Sequence, residues 1–194
     1  MPIPDHIALL RGINVGGHRV KMDRLRALFA DMGFRGVETF IASGNVIFSS
    51  EASDQAALAD RIEQALQEGL GYAVPTFMRT PSEVEAVAGY DPRTGHADSP
   101  DGSLYVVFLK QPPDNAMRAR FTPLESSFDR FVFDGREIYW SMAGKLSASP
   151  LFGTGLEKAI GAAPCTLRNI TSVRRLVDKV RMRTGDAGSG EPRR

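Results

Sequence analysis

Residues 6–49 read HIALLRGINVGGHRVKMDRLRALFADMGFRGVETFIASGNVIFS and contain the elements that open the fold. The apolar run His6–Leu10 predicts a short strand, and apolar residues at helical spacing predict a helix over 22–32 that ends at a glycine. Two runs rich in β-branched and aromatic residues, Val37–Ala42 and Val46–Ser49, follow and are separated by a Ser-Gly-Asn turn. The stretch therefore predicts a strand, a helix and a hairpin.

A second helix and a further strand complete a first unit of six elements. The helix is predicted to begin at a cap on Ser53 or Asp54, and the strand covers Val74–Arg79. The order β-α-β-β-α-β is typical of the split βαβ, or ferredoxin-like, arrangement, whose antiparallel sheet carries both helices on one face. The same order recurs from the strand LYVVFLK (residues 104–110), although the two halves share no sequence motif.

The sequence therefore predicts an α+β fold with two ferredoxin-like (β-α-β-β-α-β) subdomains packed together, plus a C-terminal helix. We expect the N-terminal subdomain over 1–80, a connecting helix and loop over 81–103, and the C-terminal subdomain with its terminal helix over 104–183. Residues 184–194 have a low apolar content and are expected to form a disordered tail. Because each subdomain is small, we expect a groove between them, where ligand sites tend to lie.

Composition excludes several classes of protein. Of 194 residues, 42% are hydrophobic, and 24 basic against 23 acidic side chains give a net charge of +1. The single cysteine, Cys165, rules out an internal disulfide framework, and His6, His18 and His96 show no metal-ligand spacing. No apolar run reaches the roughly 18 residues of a membrane span, and the N-terminus does not resemble a secretory signal. We expect a cytoplasmic protein without metal, cofactor or membrane contact.

Charge is distributed unevenly along the chain. Residues 165–194 carry eight basic and three acidic side chains, whereas residues 51–101 carry three basic and ten acidic ones. A basic C-terminal end can attract phosphate groups electrostatically. The pattern also fits a solvated helix face followed by a tail, partly paired with the acidic middle segment.

The loop that joins the first strand to the first helix is the main candidate for a functional site. Its glycines permit tight turns that expose backbone N–H groups, and the helix that follows presents a positive end. These are components of an anion pocket, although the glycine spacing matches neither a Walker A loop nor a dinucleotide fingerprint. The alternative is a loop that needs glycine only for its conformation and asparagine for a local backbone hydrogen bond. The predicted ligand-binding residues of this loop are Arg11, Gly12, Asn14, Gly16, Gly17 and Lys21.

Three further residues are secondary candidates. Asn45, in the Ser-Gly-Asn turn, is able to orient a water molecule or a phosphate oxygen, but a hairpin turn alone also explains it. Arg168 lies at the end of a predicted strand and Asn169 at a helix start, where anion contacts also occur. The alternative for that pair is that Asn169, with Thr171, only caps the last helix.

A set of short motifs extends along most of the chain. They are IALLRGINVGG (7–17), Met22 with Leu25-Arg26, Gly33-Phe34, SGNV (43–46), GKL (144–146), LEK (156–158), Gly161 and TLRN (166–169). Together these motifs resemble the domain of unknown function 1697 family. The resemblance covers about residues 6–180, and two positions depart from the family pattern: Gly144 stands where the family usually has serine, and Ile170 where it usually has tryptophan. The resemblance implies a bacterial-type cytosolic protein with two ferredoxin-like subdomains, and it implies no activity.

We therefore expect a protein that binds a phosphate-bearing ligand, a nucleotide or nucleic acid, at the glycine-rich loop. Nucleic acid is the less favoured ligand, because the strands that would carry base-stacking aromatics offer Phe40 and Phe48 without the RNA-recognition pattern. One alternative is an acylphosphatase-like phosphoanhydride hydrolase, in which Arg11 would hold the phosphate and Asn45 would orient water. Another is a protein-interaction module without a small ligand. The sequence predicts neither the oligomeric state nor whether the protein is an enzyme.

Overall fold

The computed structural model describes residues 5–42, 44–92 and 102–188. Within these ranges lie eight strands and six α-helices, and the strands form two four-stranded antiparallel sheets. The predicted α+β class is therefore confirmed. The chain divides into two compact units, one from residues 1–88 and 174–194 and the other from residues 89–173.

The first unit contains the elements predicted from the opening stretch. Its sheet has the strand order β2-β3-β1-β4, so β1 is an inner strand. The helix predicted over 22–32 is confirmed within one residue, and the first hairpin strand begins two residues earlier than predicted. In chain order the elements are β1 (His6–Leu10), α1 (Met22–Asp31), β2 (Arg35–Phe40), β3 (Asn45–Ser49), α2 (Gln55–Leu70), β4 (Thr76–Arg79) and α3 (Pro81–Gly89).

The core of this unit forms where the apolar stripes of α1 and α2 meet one face of the sheet. Leu25 and Phe29 of α1 and Ile62 and Leu66 of α2 are all fully buried. They belong to one cluster with Phe48 of β3, whose ring lies 5.4 Å from that of Phe29, centroid to centroid, in an edge-on arrangement. The three-and-four spacing of the apolar residues places them on one side of each helix, and this fixes which faces are covered.

The ends of α2 follow from local hydrogen bonding. Asp54 is the N-cap, and its carboxylate accepts the N–H groups of Ala56 at 2.9 Å and Ala57 at 3.2 Å. This confirms one of the two caps predicted from the sequence. At the other end Gly71 has a φ of 82°, the left-handed conformation that ends many helices.

The second unit has a sheet with the strand order β6-β7-β5-β8. The predicted hairpin is confirmed: Asp134 pairs with Glu137 across a turn in which Gly135 has a φ of 53°. Phe121 packs edge-on against Phe131, with 4.9 Å between ring centroids, in the core of this unit. The elements are β5 (Ser103–Leu109), α4 (Asn115–Phe121), β6 (Asp129–Asp134), β7 (Glu137–Met142), α5 (Thr154–Ile160) and β8 (Cys165–Asn169), with short 3-10 turns at Thr122–Leu124 and Leu146–Ala148.

The last helix, α6 (Ile170–Gly188), differs from the expectation in both its length and its grouping. We expected it to end by residue 183 and to belong with the second subdomain, but from Arg174 onward it groups with the first unit. Residues 184–188 of the expected disordered tail are helical, and residues 189–194 lie outside the described residues. Residues 93–101 of the expected connecting loop also lie outside them.

Charged side chains account for this grouping by fastening α6 to β2. The Arg183 side chain is almost fully buried, and its Nη2 donates to the Gly36 carbonyl at 2.7 Å. Its Nε lies 3.2 Å from one carboxylate oxygen of Glu38, and the Lys179 Nζ lies 2.7 Å from the other. Part of the basic C-terminal charge is therefore used within the fold.

No helix of the described residues is both long enough and apolar enough to cross a membrane.

The fastening of α6 predicts a contrast between two neighbouring arginines. Arg183→Met should lower the free energy of unfolding by about 1–3 kcal/mol, because it removes the hydrogen bond to the Gly36 carbonyl and the ion pair with Glu38 of a buried charged group. Arg181→Met should change stability little, because Arg181 is a surface residue whose partner Glu85 is also exposed. Urea denaturation of the full chain measures both. Equal stability of the two variants would contradict the fastening role of Arg183.

Candidate functional site

The glycine-rich loop, residues 11–21, is anchored at its start by two backbone hydrogen bonds. The strand that precedes it, β1, pairs with β3 on one side and β4 on the other. At the end of β1 the Leu10 N–H donates to the Gly44 carbonyl at 2.8 Å, and the Arg11 N–H donates to the Pro75 carbonyl at 2.9 Å. The loop therefore leaves the sheet at a fixed point between the β2–β3 turn and the entry to β4.

The backbone of the loop adopts the left-handed conformation four times. The φ angles are 84° at Gly12, 56° at Asn14, 60° at Gly16 and 91° at Gly17. A Cβ added at Gly16 or Gly17 would meet no atom within 4 Å, so these positions need glycine for its conformation and not for space. Residues 15–19 are exposed, and the turns therefore lie open to solvent.

Asn14 holds the shape of the loop through both ends of its side-chain amide. Its Nδ2 donates to the Ala42 carbonyl at 3.0 Å, and its Oδ1 accepts the Val20 N–H at 2.8 Å. These bonds tie the loop to the β2–β3 turn and to its own last residues. The conformational role that the sequence left open for this asparagine is therefore observed, and Asn14 is a positioning residue.

The glycine N–H groups of the loop have no acceptor within the described part of the chain. The His18 N–H donates to the Val15 carbonyl at 3.1 Å, but no hydrogen bond among the described residues uses the N–H of Gly12, Gly16 or Gly17. Neighbouring backbone N–H groups of this kind form anion-binding concavities in many proteins. In this loop they are left for water or for a ligand.

The charged side chains of the loop itself are all positive. Residues 6–22 contain no acidic side chain. Arg19 and Lys21 are exposed, and Arg11 is half-buried and has interactions of its own. The helix that follows adds the positive end of its dipole, which the carboxylate of Asp23 in its first turn partly offsets.

An aromatic pair that the sequence did not single out lies beside the loop. The imidazole ring of His18 stacks on the phenol ring of Tyr72, with 3.7 Å between centroids and 20° between the ring planes. His18 is exposed, whereas Tyr72 is half-buried and burial raises the pKa of its hydroxyl. Nothing in the local sequence pattern connects the two residues, because Tyr72 follows the end of α2.

Asn45 occupies a structural position. Its side chain is 2% exposed, and its Nδ2 donates to the Phe40 carbonyl at 3.1 Å across the β2–β3 turn. This favours the hairpin interpretation over a role in orienting water. The neighbouring Ser43 of the predicted turn lies outside the described residues.

The second predicted group, Arg168 and Asn169, belongs to the other unit. Arg168 is buried, its Nη1 donates to the Thr166 hydroxyl at 2.8 Å and to the Leu167 carbonyl at 2.9 Å, and burial lowers its pKa to about 10. Asn169 accepts the Thr171 N–H at 2.8 Å through its Oδ1, as an N-cap of α6 does. Asn169 thus makes a capping hydrogen bond, whereas Thr171, which was also expected to cap the helix, lies within α6.

The first unit also contains a hollow that sequence reasoning did not find. It has a volume of about 440 Å³ and lies where α1 ends and β2 begins. Gly33, Arg35, Glu51 and Arg61 are among its lining residues, and the Arg35 guanidinium pairs with the Glu51 carboxylate at 3.1 Å. No local pattern predicts it, because it is assembled from separate elements.

Among the described residues, no three His, Cys, Asp or Glu side chains are grouped so that they could hold a metal ion.

The fold and the loop together define an α+β protein with two four-stranded antiparallel sheets and a glycine-rich loop at the end of an inner strand. The chain belongs to the family described as protein of unknown function, DUF1697, which it matches over residues 3–139. The resemblance read from the sequence motifs is thereby confirmed. The match includes the whole glycine-rich loop and extends into β7.

Among solved structures, the chain is similar to the conserved bacterial protein SP0830 from Streptococcus pneumoniae. The two share 22% sequence identity with a TM-score of 0.67, over 91% of this chain and 98% of that one. At this identity the likeness concerns the fold alone. No curated protein matches the chain significantly.

The role of Asn14 predicts a graded response to substitution. Asn14→Ala should lower the free energy of unfolding by about 1–3 kcal/mol, because it leaves a buried N–H without an acceptor and forces alanine into a left-handed conformation. Asn14→Gly should lower the free energy of unfolding by less. Glycine also loses the side-chain hydrogen bonds, but it adopts the left-handed conformation without strain. Urea denaturation and hydrogen exchange at the Val20 amide measure the effect. Wild-type stability and wild-type exchange rates in both variants would show that the Asn14 side chain does not hold the loop.

Proposed function

We propose that this protein binds a phosphate-bearing ligand at the glycine-rich loop. One observation carries the proposal: the N–H groups of Gly12, Gly16 and Gly17 have no acceptor among the described residues, in a segment of positive charge. The two hydrogen bonds of the Asn14 side chain hold the loop, so an anion would bind with little cost of ordering the backbone. Arg11 and Lys21 would add charge-assisted contacts to the same group.

Asn14 enters the proposal as the residue that holds the loop, and not as a direct ligand. We leave Arg168 and Asn169 out of it, because the guanidinium of Arg168 is buried and the Asn169 side chain caps α6. We also propose the ferredoxin-like topology for each unit, since each combines the element order β-α-β-β-α-β with an inner first strand. We also propose a cytoplasmic location, because the family resemblance implies a cytosolic protein.

The hydrolase alternative has less support than binding. It needs Asn45 to orient an attacking water molecule, but that side chain is buried and bonded to the Phe40 carbonyl. Binding of nucleic acid across the sheet is also less supported. Phe48 is fully buried, and the guanidinium of Arg175 lies 5.7 Å from the Phe40 ring centroid.

Binding should stabilise the full chain against heat. A ligand at about 100 times its Kd adds about 2.7 kcal/mol to the free energy of unfolding, which for a chain of this size raises Tm by roughly 5–10 °C. We expect such a rise with pyrophosphate or nucleotides, and we expect it to shrink as salt increases, because the ligand is an anion. A thermal-shift titration measures it.

Two variants separate a site at the loop from general charge attraction. Arg11→Ala should abolish most of the ligand-induced rise in Tm. Arg35→Ala removes an exposed arginine at the far end of the same sheet and should leave the rise unchanged. An equal rise in both variants would place the anion elsewhere. No rise for any phosphate compound with the wild-type chain would overturn the proposal and favour a protein-interaction module.

A further inference from the structure

A stacked pair of aromatic rings, His18 and Tyr72, lies beside the loop, although an anion site alone does not require an aromatic surface. His18 follows Gly17 directly, and its ring lies flat on Tyr72. Tyr72 covers one face of the imidazole, and His18 itself is exposed to solvent. An exposed aromatic ring therefore directly follows backbone N–H groups that have no hydrogen-bond partner among the described residues, with about 3.8 Å between the Cα atoms of Gly17 and His18.

We infer that the phosphate-bearing ligand is a nucleotide, whose base stacks on the face of His18 that Tyr72 does not cover, while its phosphate binds the N–H groups of Gly16 and Gly17. The inference rests on the proposed function and adds the chemical class of the ligand. Every nucleobase has a π face, so stacking on an aromatic side chain recognises a base without selecting its identity. The phosphate and the base would be held by neighbouring residues of one loop.

The shelf formed by His18 and Tyr72 is held in place before any ligand arrives. The His18 N–H donates to the Val15 carbonyl, and Tyr72 follows the left-handed Gly71 that ends α2. The Tyr72 hydroxyl oxygen is buried and has no hydrogen-bond partner among the described residues. The Tyr72 side chain packs against the hydrophobic core of the first unit, so it has little side-chain entropy left to lose when a base binds.

A mononucleotide fits this surface better than a nucleic acid strand. A strand needs successive aromatic platforms, one for each base. Among the described residues of the first unit, the rings of Phe29, Phe48 and Phe77 are fully buried, and Phe40 lies under Arg175. The His18 shelf accommodates one base.

The test compares ligands that differ in one part. The full chain is titrated by isothermal calorimetry with the four ribonucleoside 5′-monophosphates, with ribose 5-phosphate, which lacks the base, and with adenosine, which lacks the phosphate. We expect the best nucleotide to bind about tenfold more tightly than ribose 5-phosphate, in line with the strength of base stacking. His18→Ala should lower the affinity for the nucleotide to that for ribose 5-phosphate.

His18→Phe is the matched variant, because it keeps a flat ring and removes the polar ring nitrogens. It should retain the preference for the nucleotide if stacking is the cause. Loss of the preference in His18→Phe would overturn stacking in favour of a polar contact to the imidazole. The melting temperature of each unliganded variant reports whether the ring serves only to pack the loop.

The remaining outcomes separate this inference from the proposed function. Equal affinities of the wild-type chain for nucleotide and ribose 5-phosphate, or a preference that survives in His18→Ala, would overturn the inference and leave the phosphate site standing. Binding of adenosine as tight as that of nucleotides, and dependent on His18, would overturn the phosphate site and retain the shelf. Stabilisation by pyrophosphate without binding of any nucleotide would overturn the inference alone, whereas no effect of pyrophosphate and no binding of any of these compounds would overturn both.

Discussion

The first unit depends on the pairing of β1 between two neighbouring strands. All five residues of β1 are buried, and its register places Leu9 opposite Asn45 on one side and Phe77 on the other. A slip of one residue would turn every side chain of the strand to the opposite face, which the buried core forbids. Because the register is fixed, the N–H groups of Leu10 and Arg11 always meet the same carbonyls. The starting point of the glycine-rich loop is therefore set by the sheet.

Local patterns were sufficient to predict most elements of the fold, because each depends on residues close together in sequence. The cap at Asp54 and the hairpin across Gly135 are contacts within a few residues. The grouping of α6 could not be predicted in this way. It depends on the buried bond from Arg183 to the Gly36 carbonyl, whose partners lie 147 positions apart. Basic residues in a helix look the same in sequence whether they are solvated or buried.

The candidate site was likewise predictable from local patterns only in part. The loop was predictable, because residues that tolerate left-handed backbone are concentrated in one short segment. What holds it was not, since the carbonyl that Asn14 binds belongs to Ala42, 28 positions away. The stack of His18 on Tyr72 could not be predicted either, because it depends on where α2 ends relative to the loop. Sequence reasoning thus located the exposed backbone of the candidate site but not the side-chain contacts of Asn14, His18 and Tyr72 around it.

The two units share a detail that explains why one predicted arginine is an unsuitable anion ligand. Arg79 in β4 and Arg168 in β8 stand opposite Ile7 and Val106, the equivalent positions of the inner strands. Both are buried, and each donates through Nη1 to the carbonyl of the preceding residue, at 2.8 and 2.9 Å. The recurrence in two sequences without a common motif indicates a structural requirement of the last strand. A buried guanidinium that satisfies backbone carbonyls has fewer donors left for an anion, whereas the glycine N–H groups of the loop lie in an exposed segment. Arg168 is therefore explained by its buried position in the fold, whereas the exposed residues 15–19 of the loop remain accessible to the proposed ligand.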